Sequence, residues 1–292
     1  VGPSEKAVRF GSYTVSLKNV ARVFRDLSSA VSEQADLELA QWVKPEGQTD
    51  ADFAQAKAGV KSQAYKVTVT IIYSDGSSAF GTDAGIFEVS AGGPLISKIY
   101  MTNLTAYRAK ANLEPANGFQ LWFDFSQPPL MDANTVVSGP TPNQSLLQIN
   151  GDRPGWLAGV ERSVLQHIDK RHNVRGALHG AFVYDYGLMM IGVPWSLYLC
   201  WLAMPWINSN LAELPILQAA VFLYVFVLGI WGYRILFSYF RWAYPVAELA
   251  EQDAKPRRHR LFWWGMVITV IGKLFWDLLD PLLSLRFLLP VG

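Results

Sequence analysis

Three of the four histidines, His167, His172 and His179, crowd into one stretch with Asp169 and Asp185, the residue types that hold zinc or relay protons. Their spacing argues against a metal. A helix aligns residues four apart, whereas these histidines stand five and seven apart and fix no tetrahedral set. Interfacial or solvated histidines are the expectation, with no metal and no cofactor. A second set, Lys273, Asp277 and Asp280, is spaced four and then three residues apart, so a helix would place it on one face. Inside a bilayer such a cluster is either an internal ion pair or a polar path for ions or protons. A third pair, Asp185 and Arg234, stands at the thresholds of two apolar runs and is expected to meet as an interfacial ion pair.

Catalytic signatures are missing. The sequence contains no GxGxxG or GxxxxGK[ST] loop to cradle phosphates, no GxSxG elbow and no HExxH. The single cysteine, Cys200, permits no disulfide and no Cys-based zinc site within one chain. An enzyme is therefore not expected. A formal charge of +1 likewise supplies none of the basic excess that nucleic acid demands, so nucleic acid is not an expected partner.

The elements that must position these residues divide the chain sharply. From Tyr186 to Ile207 and again from Pro215 to Tyr233 no Asp, Glu, Lys or Arg occurs. At ~1.5 Å per helical residue, ~20 residues cover the roughly 30 Å hydrocarbon layer, so each run is long enough to span it. Eight of the eleven tryptophans (195, 201, 206, 231, 242, 263, 264 and 276) lie in this half, as interfacial anchoring requires. Residues 179–292 are thus expected to form a membrane region, with spans at about 186–207 and 215–233 and a cytoplasmic segment at 234–260.

Residues 261–289 are ambiguous. Leu261 to Gly272 is apolar but short, and Lys273, Asp277 and Asp280 follow. A charge at mid-bilayer costs ~2.5–3.5 kcal/mol, which leaves open a third span and a re-entrant or interfacial helix.

Orientation follows from Lys and Arg. Arg153, Arg162, Lys170, Arg171 and Arg175 precede the first span, and Arg234, Arg241, Lys255, Arg257, Arg258 and Arg260 follow the second, while the intervening turn offers only Glu213. The positive-inside rule predicts a multi-pass protein of the cell membrane whose N-terminal domain is cytoplasmic. Arg171, Arg175, Lys255, Arg257, Arg258 and Arg260 are the expected contacts to lipid headgroups.

Residues 1–178 show the patterning of a soluble domain. Leu17, Val20, Phe24, Leu27 and Val31 recur at three and four, predicting a helix from about Leu17 to Trp42 behind Ser16 as cap, and a weaker helix covers Asp50 to Lys61. The period then changes to two: Tyr65, Val67, Val69, Ile71 and Tyr73 alternate with polar residues, and Ser74-Asp75-Gly76-Ser77 makes a hairpin turn. Ser77–Gly81, Ile96–Leu104, Phe119–Phe125 and Ser145–Asn150 predict further strands, and Arg153 to His172 another helix. The expected fold class is α+β: a mostly antiparallel sheet of about five strands packed by helices, followed by an α-helical transmembrane region of two to three spans.

In the 119–125 strand, alternation puts Trp122 and Asp124 opposite the apolar face, which makes them the candidate contact surface. Together these features predict a membrane-anchored recognition or scaffold module with a protein partner or a second copy of itself. The alternative is an oligomeric channel or pore-forming subunit that uses the charged C-terminal helix.

Overall fold

The computed structural model describes residues 4–88, 93–129, 139–168, 174–252 and 254–283, with side chains given except at 174, 254–256, 270, 274, 275 and 277–283. The fold is α+β with a six-stranded antiparallel sheet, one strand more than the alternation predicts. The extra strand is β1 (Ser4–Arg9), which pairs with β7 (Leu146–Gly151) at one edge of the order β1-β7-β6-β5-β3-β4. Its sequence, SEKAVR, has no period of two because only Val8 packs against the core. Charged residues suit an exposed edge, where they discourage further pairing.

The remaining strands fall where the alternation places them. β3 (Thr68–Tyr73) turns through Asp75 and Gly76 into β4 (Ser78–Gly81). Gly76 has φ +86°, and the Asp75 carboxylate accepts from the Ser77 amide at 2.9 Å, the self-bonding geometry that makes Asp-Gly a turn. β5 (Ile96–Thr102) and β6 (Gly118–Asp124) complete the centre. A short helix, α3 (Leu104–Ala111), starts where a strand was expected to end, because the Asn103 side chain turns the chain by bonding the Phe119 amide and the Asn117 carbonyl.

Helices cover one face of the sheet. Ser16 caps α1 (Leu17–Ala40), its hydroxyl accepting from the Asn19 amide at 3.1 Å, and Val20, Val23, Phe24, Leu27 and Val31 are buried. They join Val69, Ile71, Ile99, Phe119, Leu121, Phe123, Leu147 and Ile149 in the main core. The α1 stripe therefore packs on the sheet. Beside it lies α4 (Pro154–Leu165), which contributes Trp156, Val160 and Val164 and ends before the predicted His172. α2 (Asp50–Ala64) flanks the layer, with Tyr65 bonding Glu38 at 2.5 Å and crossing Tyr107 edge-on.

Two helices are long and apolar enough to cross a membrane, and in each only 11% of the most apolar window is buried. The first runs from Val183 to Asn210 and comprises α6 (Val183–Gly187), a π turn (Leu188–Gly192) and α7 (Val193–Asn210). The π turn precedes Pro194, which has no N–H for the ladder; the Val193 amide instead reaches Leu188 O. The second is α8 (Pro215–Ala243), and it ends just before Pro245. Ser196 lies against Gly229 where the helices touch, close enough that a Cβ on Gly229 would sit 2.8 Å from the Ser196 Cα. Met189, Ile191, Trp201, Ile216, Leu223 and Trp231 are left exposed around the hairpin.

After the hairpin the chain returns to the sheet domain. β8 (Ala247–Leu249) pairs in parallel with β2 (Tyr13–Val15), and Ala247 and Leu249 enter the main core. The final helix, α9 (Ala254–Leu283), then leaves beside the end of α8.

Candidate functional site: a polar junction between sheet domain and hairpin

β8 carries a carboxylate into the interior. Glu248 is 6% exposed, and two arginines from different elements converge on it. Arg175 of α5 (Val174–Leu178), just before the first apolar helix, donates to Glu248 Oε2 at 2.6 Å and to the Thr14 hydroxyl at 3.3 Å. Arg260, in the second turn of α9, meets Oε2 at 3.2 Å and also engages Oε1, the two-pronged geometry that guanidinium and carboxylate planes favour. Its charged carbon lies 5.7 Å from the Tyr244 ring centroid. Thr14, Arg175 and the 248–260 stretch, widely separated in sequence, are thereby tied at one point, and the two arginines with one glutamate leave a net positive charge there.

Glu251, three residues after Glu248, accepts from the Leu17 amide at 2.9 and 3.0 Å. It places a negative charge at the N-terminus of α1, where the helix dipole stabilises anions. The segment after the hairpin therefore finishes α1 as well as β2.

A second knot lies at the end of α8. His179 is buried; its Nε2 donates to Tyr244 O at 2.5 Å, while Nδ1 and the Thr141 hydroxyl are 2.8 Å apart. The Thr141 amide also reaches His179 O at 3.2 Å. Arg241 donates to Leu178 O at 3.4 Å and to Gly139 O at 3.5 Å, and stacks over Phe237 at 4.7 Å. A neutral imidazole satisfies both of its neighbours, one as donor and one as acceptor.

Burial holds the His179 pKa below its usual value, and the nearby Arg241 charge lowers it further, against the opposing bond to Tyr244 O. The folded chain thus binds this proton more weakly than the unfolded chain, whose histidine titrates near ~6.5. Stability from this group is complete above that pH and declines as pH falls from there through the folded value. Unfolding midpoints measured from pH 7.5 down to 5 are expected to fall less steeply in His179→Asn than in the native protein. Parallel slopes would remove His179 from this account.

The structure separates the sequence-predicted histidines. His167 bonds Asp26 of α1 at 2.7 Å, whereas His179 bonds Thr141 and Tyr244 O; His172 and Asp169 lie outside the described residues. No group of three His, Cys, Asp or Glu suited to a metal occurs among the described residues. Asp185 sits in α6 and Arg234 in α8, both within electrostatic reach of Tyr184, which packs on Tyr233 and Phe237. Lys273 is exposed on α9, whereas the side chains of Asp277 and Asp280 lie outside the described set.

Of the six residues expected at headgroups, Arg175 and Arg260 are directed at Glu248. Arg257 and Arg258 are exposed, and Arg171 and the Lys255 side chain lie outside the described residues. Trp122 is half-buried and stacks on Tyr100 with ring centroids 4.0 Å apart. Asp124 is buried instead of presented, its carboxylate accepting from the Ser126 and Gln144 amides at 3.1 and 2.9 Å.

No family model matches the chain, and neither a curated protein nor a solved structure does. Glu248 and Thr141 carry no motif, Arg241 stands in the sequence only as one of the charges that set orientation, and His179 only as a member of the histidine set. The one sequence signal was a glutamate between Ala247 and Leu249, an alternation too short to register as a strand.

Proposed function

We propose that the chain is a membrane-anchored recognition or scaffold module, whose N-terminal α+β domain (1–178) is held at the inner face of the cell membrane for partner binding or self-assembly. The observation that carries this reading is the coupling of an unburied apolar hairpin to the sheet domain by the buried Glu248 triad. A head linked only by a flexible tether would need no such tie. The Lys and Arg asymmetry supports a cytoplasmic head with the 208–214 turn outside. Trp242 meets His259 and Phe240 meets Trp263, so α9 runs antiparallel to α8 from its end, which supports a third passage into the bilayer.

Single-cysteine labelling tests the placement. In a Cys200→Ser background, Ser209→Cys is expected to react with a membrane-impermeant maleimide on intact cells, and Ser62→Cys only after permeabilisation. The reverse pattern places the head outside and overturns the reading.

The second reading, an oligomeric channel subunit, draws on α9, where Leu261, Phe262, Ile268 and Ile271 are exposed alongside Lys273. Ion leak from proteoliposomes that disappears in Lys273→Leu would favour it; a monomer in detergent with tight liposomes would end it.

A further inference from the structure

The sheet face opposite α1 and α4 carries a row of side chains in register across all six strands: Phe80, Thr70, Tyr100, Trp122, Leu146 and Arg9. These positions are half-buried or exposed, in contrast to the buried residues that alternate with them. Tyr100 covers one face of the Trp122 indole, with rings inclined by 27°. On the other side, in strand order, come Leu146 and Arg9. There a cleft of about 330 Å³ opens, lined by Arg9, Trp122, Asn143, Gln144, Ser145 and Leu146.

The polar groups around it are not equally committed. Asn143 bonds Asp124 O and the Ser145 amide, and Ser145 bonds Tyr13 and the Asp124 amide. The Asp124 carboxylate is occupied by two amides, which leaves no free acid facing the cleft from β6. Gln144 uses its carbonyl oxygen on Lys98 at 2.7 Å, and its NH2 has no partner among the described residues. The Arg9 guanidinium makes no hydrogen bond or ion pair among them either; Arg9 stands two strands from Trp122, with Leu146 of β7 between them, and all three line the cleft. The cleft thus offers a flat apolar wall, a fork of charged donors, a neutral donor and a second cation nearby.

We propose that this cleft binds a free nucleotide, the base stacking between Trp122 and Leu146 and the phosphate meeting Arg9 and the Gln144 amide. Aromatic side chains stack on any base face, and the planar arginine fork fits phosphate oxygens in pairs. The volume falls at the lower end of small-molecule sites, ~300–1,000 Å³, and suits one nucleotide. A polymer is disfavoured because the chain carries a formal charge of only +1 and no basic stripe to follow a backbone. This ligand gives content to the recognition reading of the head, and it is independent of where the head lies relative to the bilayer. The labelling experiment and the one that follows therefore fail separately.

Calorimetry on the full-length chain in detergent tests it with AMP and UMP, with adenosine and inorganic phosphate as half-ligands. At least one nucleotide is expected to bind, with each half-ligand about tenfold weaker or more. Trp122→Leu and Arg9→Gln are each expected to weaken it by about tenfold or more, while Trp122→Phe, which keeps a stacking face, retains most of it. Arg9 is exposed on an edge strand, so Arg9→Gln leaves the fold intact and decides the matter even if Trp122→Leu fails to fold. Absence of binding by both nucleotides at millimolar concentration overturns the proposal, as does binding that Arg9→Gln leaves unchanged.

Discussion

Glu248→Gln is expected to destabilise the folded chain by about 3–5 kcal/mol, because it leaves Arg175 and Arg260 charged, partly or wholly buried and without their shared counter-ion. Amide dipoles do not replace a carboxylate between two guanidinium groups. The loss should spread beyond the site: β8 pairs with β2, and two residues further on Glu251 accepts from the first amide of α1, so loosening the segment exposes core residues Ala247 and Leu249 and leaves the Leu17 amide unpaired while Ser16 still caps the helix. Chemical denaturation in detergent, followed by near-ultraviolet circular dichroism, reads the change. A combined Glu248→Leu, Arg175→Met, Arg260→Met variant is expected to recover most of it, since replacing a whole buried ionic set with apolar residues is often neutral or better. A Glu248→Gln midpoint equal to the native one would show that the triad carries no stability.

The second large effect belongs to the hairpin. In Gly229→Leu, the new Cβ would start 2.5 Å from the Ser196 hydroxyl oxygen and 2.8 Å from its Cα. A side chain can rotate away, but a backbone atom cannot, so the helices must separate along much of their contact. Overpacking of this kind costs about 1–3 kcal/mol where the surroundings can adjust, and more where they cannot. Ser196→Gly removes the hydroxyl and Cβ contacts but leaves the backbone Cα at 2.8 Å, and is expected to rescue only part. Gly232→Leu, one turn along α8 with nothing within 4 Å of its Cβ position, is the matched control and should behave as native. Cys200 gives the readout: its thiol lies 3.6 Å from Phe222 O across the same contact, and a lipid-soluble maleimide should label it faster once the helices part. Equal labelling rates in the three variants would mean that Ser196 and Gly229 are not the point of closest approach.

How much of this was legible beforehand can be judged from particular residues. The α1 stripe from Leu17 to Val31, the alternation of β3 and β6, the Asp75-Gly76 turn and both apolar runs declare themselves because each is a local pattern longer than one structural repeat. β1 escaped notice for the opposite reason, since an edge strand with a single core residue needs no alternation. β2 and β8 are three residues each, shorter than any period can show, and they pair across more than two hundred residues of chain.

The candidate residues divide in the same way. That Trp122 would face away from the core follows from counting along one strand. That Tyr100 would stack on it, and that Asp124 would turn inward to hold two amides, depends on neighbouring strands and a loop whose register no single segment encodes. Arg175, Arg260 and Glu248 were visible as charges but not as partners.

Composition and periodicity by themselves determined which stretches are helix, strand or apolar run, because those preferences arise within a few residues of backbone. Only the tertiary structure decided that the chain after the hairpin folds back into the head, where one buried carboxylate must find its two cations, because the cost of an unpaired buried charge acts across space and leaves no trace in local spacing.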